Sequence, residues 1–302
     1  MRMHHLALLL GLLATTGVVF AAKGGGAQTP KTWQYGAWSA MLTFKGSSGD
    51  SINYYLFTPK TVSGKVPFVV FLHGGTGSNG IGGPSCQGDL FYNDAFQKDH
   101  PCFVVRPVAI QGQNWVSPIK FSKGSHAQPA EPSASMKVCI ELLDKLIKDN
   151  PIDESRLYAY GPSMGGYGTW DIIERFPNKF AAAMPICGGG DPSKADSLKN
   201  MAIWIAHGDK DQYVPFQGSV AMFDAIMKAR GETAIEKDRG DSILKMSADE
   251  RIKFTQYKGG NHNSGWEKGC SEPGLEEWFF SKKLGDKPGA AGAKAPAAKK
   301  VP

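Results

Sequence analysis

The sequence predicts an α/β fold: a mostly parallel central sheet with helices on both faces and an antiparallel N-terminal edge. Three observations carry this. Apolar runs such as Phe68-Val69-Val70-Phe71-Leu72 are continuous rather than alternating, as in strands covered on both faces. These runs take turns with stretches of helical spacing, the pattern of β-α-β units. The first two strand-like stretches follow one another across a Gly/Ser turn with no helix between them, which makes an antiparallel pair.

Strands are expected over 38–44 and 51–58, joined by Gly46-Ser47-Ser48-Gly49-Asp50. Residues 67–72 and 103–107 are the next two, with a loop-helix segment between them. Over 135–149 the apolar residues Val138, Leu142 and Leu146 share one helical face opposite charges, and Pro151 lies just beyond. A strand over 156–160 and a helix over 166–175 follow. Residues 180–186 and 202–206 read as buried strands, 216–230 as a helix, 252–257 as the last strand and 275–282 as a closing helix. Residues 231–249 are polar and charged and read as an insertion before that strand.

A chain of 302 residues suits one large domain, expected over 33–284. Before it, Arg2, His4 and His5 precede an apolar stretch from Leu6 to Phe20, then Ala21 and Ala22, with Val19 at the −3 position. That is a signal peptide over 1–22, followed by a Gly-rich linker over 23–32. The stretch is shorter than the roughly 20 residues of a membrane span, although an uncleaved anchor is the alternative. The expected location is secreted or periplasmic, with no membrane association after cleavage. Residues 285–302 form an Ala/Pro/Lys tail with nothing to bury, expected to be disordered.

The formal charge is +6, but Arg2 and Lys23 lie in the N-terminal segment and residues 282–302 hold six lysines against one aspartate. The body is near neutral, so a nucleic-acid partner is not expected. Five cysteines in an exported chain predict disulfides and one free thiol. Cys86 with Cys102 is the first expected pair, Cys139 with Cys270 the second, and Cys187 the buried free thiol. No C-x-x-C spacing occurs, so neither a metal nor a redox site is expected, and no cofactor.

The chemistry starts at Gly161-Pro162-Ser163-Met164-Gly165, between an apolar strand and a helix. G-x-S-x-G there is a nucleophile elbow, in which small residues allow a tight turn that lifts the serine above the sheet edge. Asp211 follows the buried strand ending at Ala206, and His262 follows the final strand. Loops after parallel strands emerge at one edge, so Ser163, Asp211 and His262 meet in the order of a serine-histidine-acid triad. Asp209 competes with Asp211 for the acid. His262 would take the serine proton and Asp211 would orient the imidazole. The oxyanion donors are expected from Met164 N–H and from Leu72-His73-Gly74-Gly75-Thr76, Gly75 before Thr76. His73 and His207 read as packing or capping residues at strand ends, and His126 and Glu131 as loop surface.

Several segments together carry a family likeness: Phe71-Leu72-His73-Gly74-Gly75, Gln113-Asn114-Trp115, residues 152–158, GPSMGGYGTWD at 161–171, MPICGGG at 184–190, residues 207–215, and His262 with Trp266. Over roughly 50–282 the chain resembles exported α/β-hydrolases of the esterase/"predicted peptidase" group, related to polyhydroxybutyrate depolymerases and feruloyl or acetyl-xylan esterases. The resemblance implies the α/β-hydrolase fold and matches Ser163, Asp211 and His262 to the family's triad. It places Trp115 near the nucleophile, and both Trp115 and Trp266 are expected to bind substrate by stacking, a core position being the alternative. Trp170 is expected in the core. Proline at 162 and the stretch 231–249 depart from the family pattern. The expected function is a secreted serine carboxylesterase acting through an acyl-enzyme on a small-molecule or polysaccharide-linked ester, feruloyl or acetyl. The alternatives are a serine peptidase on the same triad and a non-catalytic binding protein on a hydrolase scaffold.

Overall fold

The computed structural model describes residues 34–75 and 90–286. The signal peptide, the linker, nearly all of the tail, Thr76 and Cys86 lie outside the described residues.

The strands are β1 (Gly36–Trp38), β2 (Leu42–Lys45), β3 (Ser51–Pro59), β4 (Val66–Phe71), β5 (Phe103–Val108), β6 (Ile152–Pro162), β7 (Ala182–Ile186), β8 (Ala202–Gly208), β9 (Ile235–Asp238), β10 (Ser242–Met246) and β11 (Ile252–Tyr257). They form one mixed sheet in the order β1-β3-β5-β4-β6-β7-β8-β11-β10-β9, with β2 also on β3. The block from β5 to β11 in that order is parallel. The first three strands make the antiparallel edge that the sequence predicts. The single strand expected over 38–44 is broken in two. Ser39-Ala40-Met41 face only Tyr55 and Leu56 of β3, and this extra residue forms a β-bulge.

The helices are α1 (Asp94–Asp99), α2 (Ala134–Asp149), α3 (Met164–Arg175), α4 (Ala195–Leu198), α5 (Gln217–Arg230), α6 (His262–Cys270) and α7 (Leu275–Phe280). Ser133 caps α2 by accepting from Met136 N–H at 3.1 Å, and Val138, Leu142 and Leu146 turn inward. β4 divides its side chains between two cores. Phe68, Val70 and Leu72 face one, with residues of α2, α3 and α5, while Val69 and Phe71 face the other, with α7. A strand feeding both cores has no room for polar residues, which is why its sequence is a continuous apolar run.

Residues 231–249 are not a loose insertion. They form the β9–β10 hairpin, which extends the sheet beyond β11. Its tip reaches the end of α6, where Asp241 pairs with Lys268 at 2.8 Å and Arg239 with Glu272 at 2.6 Å. The cysteine expectations change as well. Cys102 and Cys139 are buried free thiols, so neither the Cys86–Cys102 nor the Cys139–Cys270 pair forms. Cys102 Sγ is instead held by the Gln97 side chain and Phe91 carbonyl, and Cys139 is buried within α2. Cys187 is free and buried, as expected. Among the described residues, no helix is long and apolar enough to cross a membrane.

Candidate active site

Between β6 and α3 the chain turns within one residue. Ser163 sits there at φ +57° and ψ −120°, a backbone conformation that a side chain normally disfavours. Neighbouring bonds hold it: Ser163 N–H donates to Ile186 O at 2.8 Å, and Tyr167 N–H donates to Ser163 O at 3.1 Å. The flanking glycines are dictated by contact. A Cβ at Gly161 would lie 2.2 Å from Leu72 O, and one at Gly165 only 1.9 Å from the same oxygen. Ser163 occupies the N-cap of α3, yet its hydroxyl caps nothing there. Its Oγ lies instead 3.0 Å from His262 Nε2.

β8 and β11 are parallel neighbours in a register that pairs Gly208 with Tyr257, so the loops after them leave side by side. Asp211 lies in the first loop. His262 opens α6 after the second, with Asn261 capping the helix through Ser264 N–H at 2.9 Å. His262 Nδ1 is 2.6 Å from Asp211 Oδ2, while Asp211 Oδ1 accepts from Tyr213 and Val214 N–H, each at 2.8 Å. Burial alone would raise the Asp211 pKa. Donors from His207, His262, Val214 and Tyr213 outweigh it and hold the carboxyl far below its ordinary range. An ionised Asp211 accepts the proton of Nδ1 and leaves the Nε2 lone pair facing the Ser163 hydroxyl. Asp209 is engaged elsewhere, accepting from Gly259 N–H and the Gln256 amide.

The loop after β4 closes the other side. His73 is buried, with Nε2 accepting from Ala109 N–H at 2.9 Å and Nδ1 donating to Gly74 O at 2.7 Å. Burial lowers its pKa, with Gly74 O pulling the other way and Arg106 reinforcing the fall, which suits this neutral tautomer. Carbonyl and N–H point in opposite directions across a trans peptide. Anchoring Gly74 O to His73 therefore turns the Gly75 N–H away from His73. Met164 N–H is in the first turn of α3, where amides lack intrahelical partners.

Trp115 does not meet its expectation. It is fully buried, its indole N–H donates to His73 O at 3.0 Å, and its ring packs against His73, so it stands behind the loop after β4 and presents no face to a ligand. Trp170 is in the core, as expected. Trp266 is half-buried at the rim of a cleft of about 580 Å³ that also takes in Gly74, Gly75, Ser163 and His262. Across from it stands Tyr213, 66% exposed, its ring edge-on to His262 at 5.4 Å. The sequence reading missed Tyr213. Its place two residues after the acid was the available signal. His126 also differs from a surface residue: both ring nitrogens are buried and without a hydrogen-bond partner among the described residues. Glu131 is exposed.

Cys187, Asp211 and His262 bring ligand atoms within 4.8 Å of one another. Burial raises the Cys187 thiol pKa well above its ordinary value, and Asp211 and His262 are bonded to each other.

Residues 125–204, which include the elbow, match the prolyl oligopeptidase family. The chain is 27% identical over 150 residues to poly(3-hydroxyalkanoate) depolymerase C of Paucimonas lemoignei, covering 48% of this chain and 33% of that protein. It is 30% identical over 77 residues to a bifunctional acetylxylan esterase/xylanase of Neocallimastix patriciarum, covering 26% and 12% respectively. It thus spans a third or less of these relatives. A crystal structure of a thermostable esterase superposes with a TM-score of 0.64 at 30% identity, over 81% of this chain and 63% of that one. Sheet order, elbow and structural likeness agree, and the chain has the fold of an α/β-hydrolase.

Proposed function

We propose that this chain is a serine hydrolase that cleaves carboxylic esters through an acyl-enzyme. The observation that carries the reading is the continuous relay from Ser163 Oγ to His262 Nε2 at 3.0 Å and from His262 Nδ1 to Asp211 at 2.6 Å. His262 takes the hydroxyl proton as Ser163 attacks the acyl carbon, and Asp211 stabilises the imidazolium that forms. The developing oxyanion is received by Met164 N–H and by Gly75 N–H, with Thr76 as the neighbouring candidate; one such donor is worth about 3 kcal/mol of barrier. His262 then returns the proton to the leaving alcohol, and water repeats the sequence to release the acid. Tyr213 and Trp266 flank the nucleophile and suit an aryl acyl group or a sugar ring, which supports a feruloyl or acetylated polysaccharide ester. The folded catalytic domain is taken as 33–284, exported by the signal over 1–22 to a secreted or periplasmic location.

Replacing Ser163 by Ala should abolish both hydrolysis of p-nitrophenyl acetate and labelling by a fluorophosphonate. Full activity in that variant overturns the reading, and absence of labelling in the wild type returns the chain to a binding role. The match to the prolyl oligopeptidase family favours a second reading, a peptidase on the same residues. Turnover of peptide amides at rates comparable to esters would select it.

A further inference from the structure

Asp211 is held by two histidines rather than one. We infer that His207, the penultimate residue of β8, is a positioning residue for the acid, and that it acts through a proton carried on Nε2. This rests on the reading of Ser163, His262 and Asp211 as the catalytic relay. The His207 ring is fully buried. Its Nε2 lies 3.2 Å from Asp211 Oδ2 and 3.1 Å from Val214 O. Both are acceptors only, so the nitrogen facing them carries a proton. Its Nδ1 lies 2.7 Å from Ser219 Oγ, which is itself 3.0 Å from Gly188 O, and the Phe216 ring stands edge-on at 5.7 Å. The imidazole is therefore fixed from both ends, tying the acid loop to α5 and to the loop after β7.

This arrangement settles which way the carboxylate faces. Asp211 Oδ1 is taken by the amides of Tyr213 and Val214, while Oδ2 is shared by His262 and His207. Val214 closes the circuit: its N–H binds Asp211 and its carbonyl accepts from His207. Removing the Nε2 donor leaves Oδ2 with a single partner and frees the Val214 carbonyl, loosening the segment that presents Asp211. A histidine that merely filled space would be replaceable by any group of its size. One that positions the acid is replaceable only by a side chain that puts a donor where Nε2 stands. The amide nitrogen of Gln reaches that place, whereas that of Asn reaches only the place of Nδ1.

The test compares the full-length wild type with His207→Gln, His207→Asn and His207→Phe. It reads kcat and KM for p-nitrophenyl acetate and the rate of fluorophosphonate labelling, each normalised to folded protein by circular dichroism. In the Asn and Phe variants kcat and labelling rate should fall roughly tenfold, the effect of losing one bond to a charged group, with KM little changed. Gln should restore most of the loss. Asn and Gln variants with equal rates, or a Phe variant with wild-type kcat, overturn the proposal. The wild type provides a check independent of the variants' folding: nitrogen NMR of labelled histidine should find His207 Nε2 protonated, and a bare Nε2 also overturns it. A wild type that neither hydrolyses the ester nor takes the label refutes the catalytic reading instead.

Discussion

Gly165→Ala tests whether the elbow and the loop after β4 are one mechanical unit. The added methyl would stand 1.9 Å from Leu72 O, 2.7 Å from Leu72 C and 2.9 Å from His73 O, all backbone atoms that no rotamer can move aside. Opening the closest approach to an ordinary van der Waals contact requires about 1.5 Å of backbone movement, so overpacking should cost about 1–3 kcal/mol or more of stability. The movement falls where it matters. Leu72 leads directly into His73-Gly74-Gly75, and Gly165 is two residues beyond Ser163, so relief on either side shifts the serine against the proposed oxyanion donors. A misplacement of about 1 Å costs on the order of 10²-fold in rate. Fluorophosphonate labelling of the fraction that remains folded should therefore slow by about that factor. Gly75→Ala is the stability control, because a Cβ there meets nothing within 4 Å among the described residues. Its melting temperature should stay at the wild-type value. A Gly165→Ala protein with wild-type melting temperature and labelling rate would refute the steric argument.

Further outcomes follow from the same geometry. His73→Phe removes the bond that turns the Gly74–Gly75 peptide, and should lower kcat by roughly 10- to 100-fold in ester hydrolysis with the fold intact by circular dichroism. Glu174 is buried with Oε2 unpartnered among the described residues, and its pKa is raised by burial against the Asp191 amide bond, with Asp171 and Asp191 adding to the rise. The unfolded chain releases this proton from about pH 4.5, whereas the folded chain keeps it, so stability declines as pH rises from there through the folded pKa. Glu174→Gln removes that decline, and its gain in melting temperature over the wild type should be larger at pH 8 than at pH 4.

The parts legible in the sequence are those in which one residue type answers one local demand. Gly161 and Gly165 are required by a single carbonyl, and the apolar runs of β4, β7 and β8 by burial on both faces. The order of Ser163, Asp211 and His262 reads directly from the loops that end parallel strands. What stayed hidden depends on partners distant in sequence. Trp115 has the composition of a stacking residue, and only the His73 carbonyl 42 positions away makes it a core one. His207 reads as a strand-end residue until the turn at Asp211 folds back on it. Residues 231–249 look like an insertion because their strands are half-exposed and charged, which hides the pairing with β11. α6 is short and rich in Gly, Asn and Ser, so its helical pattern is weak. The Asn261 cap was the readable signal, and it places His262 at the first position of the helix.

The hairpin has a consequence for the helix that carries His262. Its tip grips α6 through Asp241–Lys268 and Arg239–Glu272, and α6 bears His262 at its other end. A hairpin at the margin of the sheet thus reaches the helix that carries His262 without lining the cleft around Ser163. Chimaeras that exchange residues 231–249 between related hydrolases should trade the temperature at which activity fails and keep their own choice of ester.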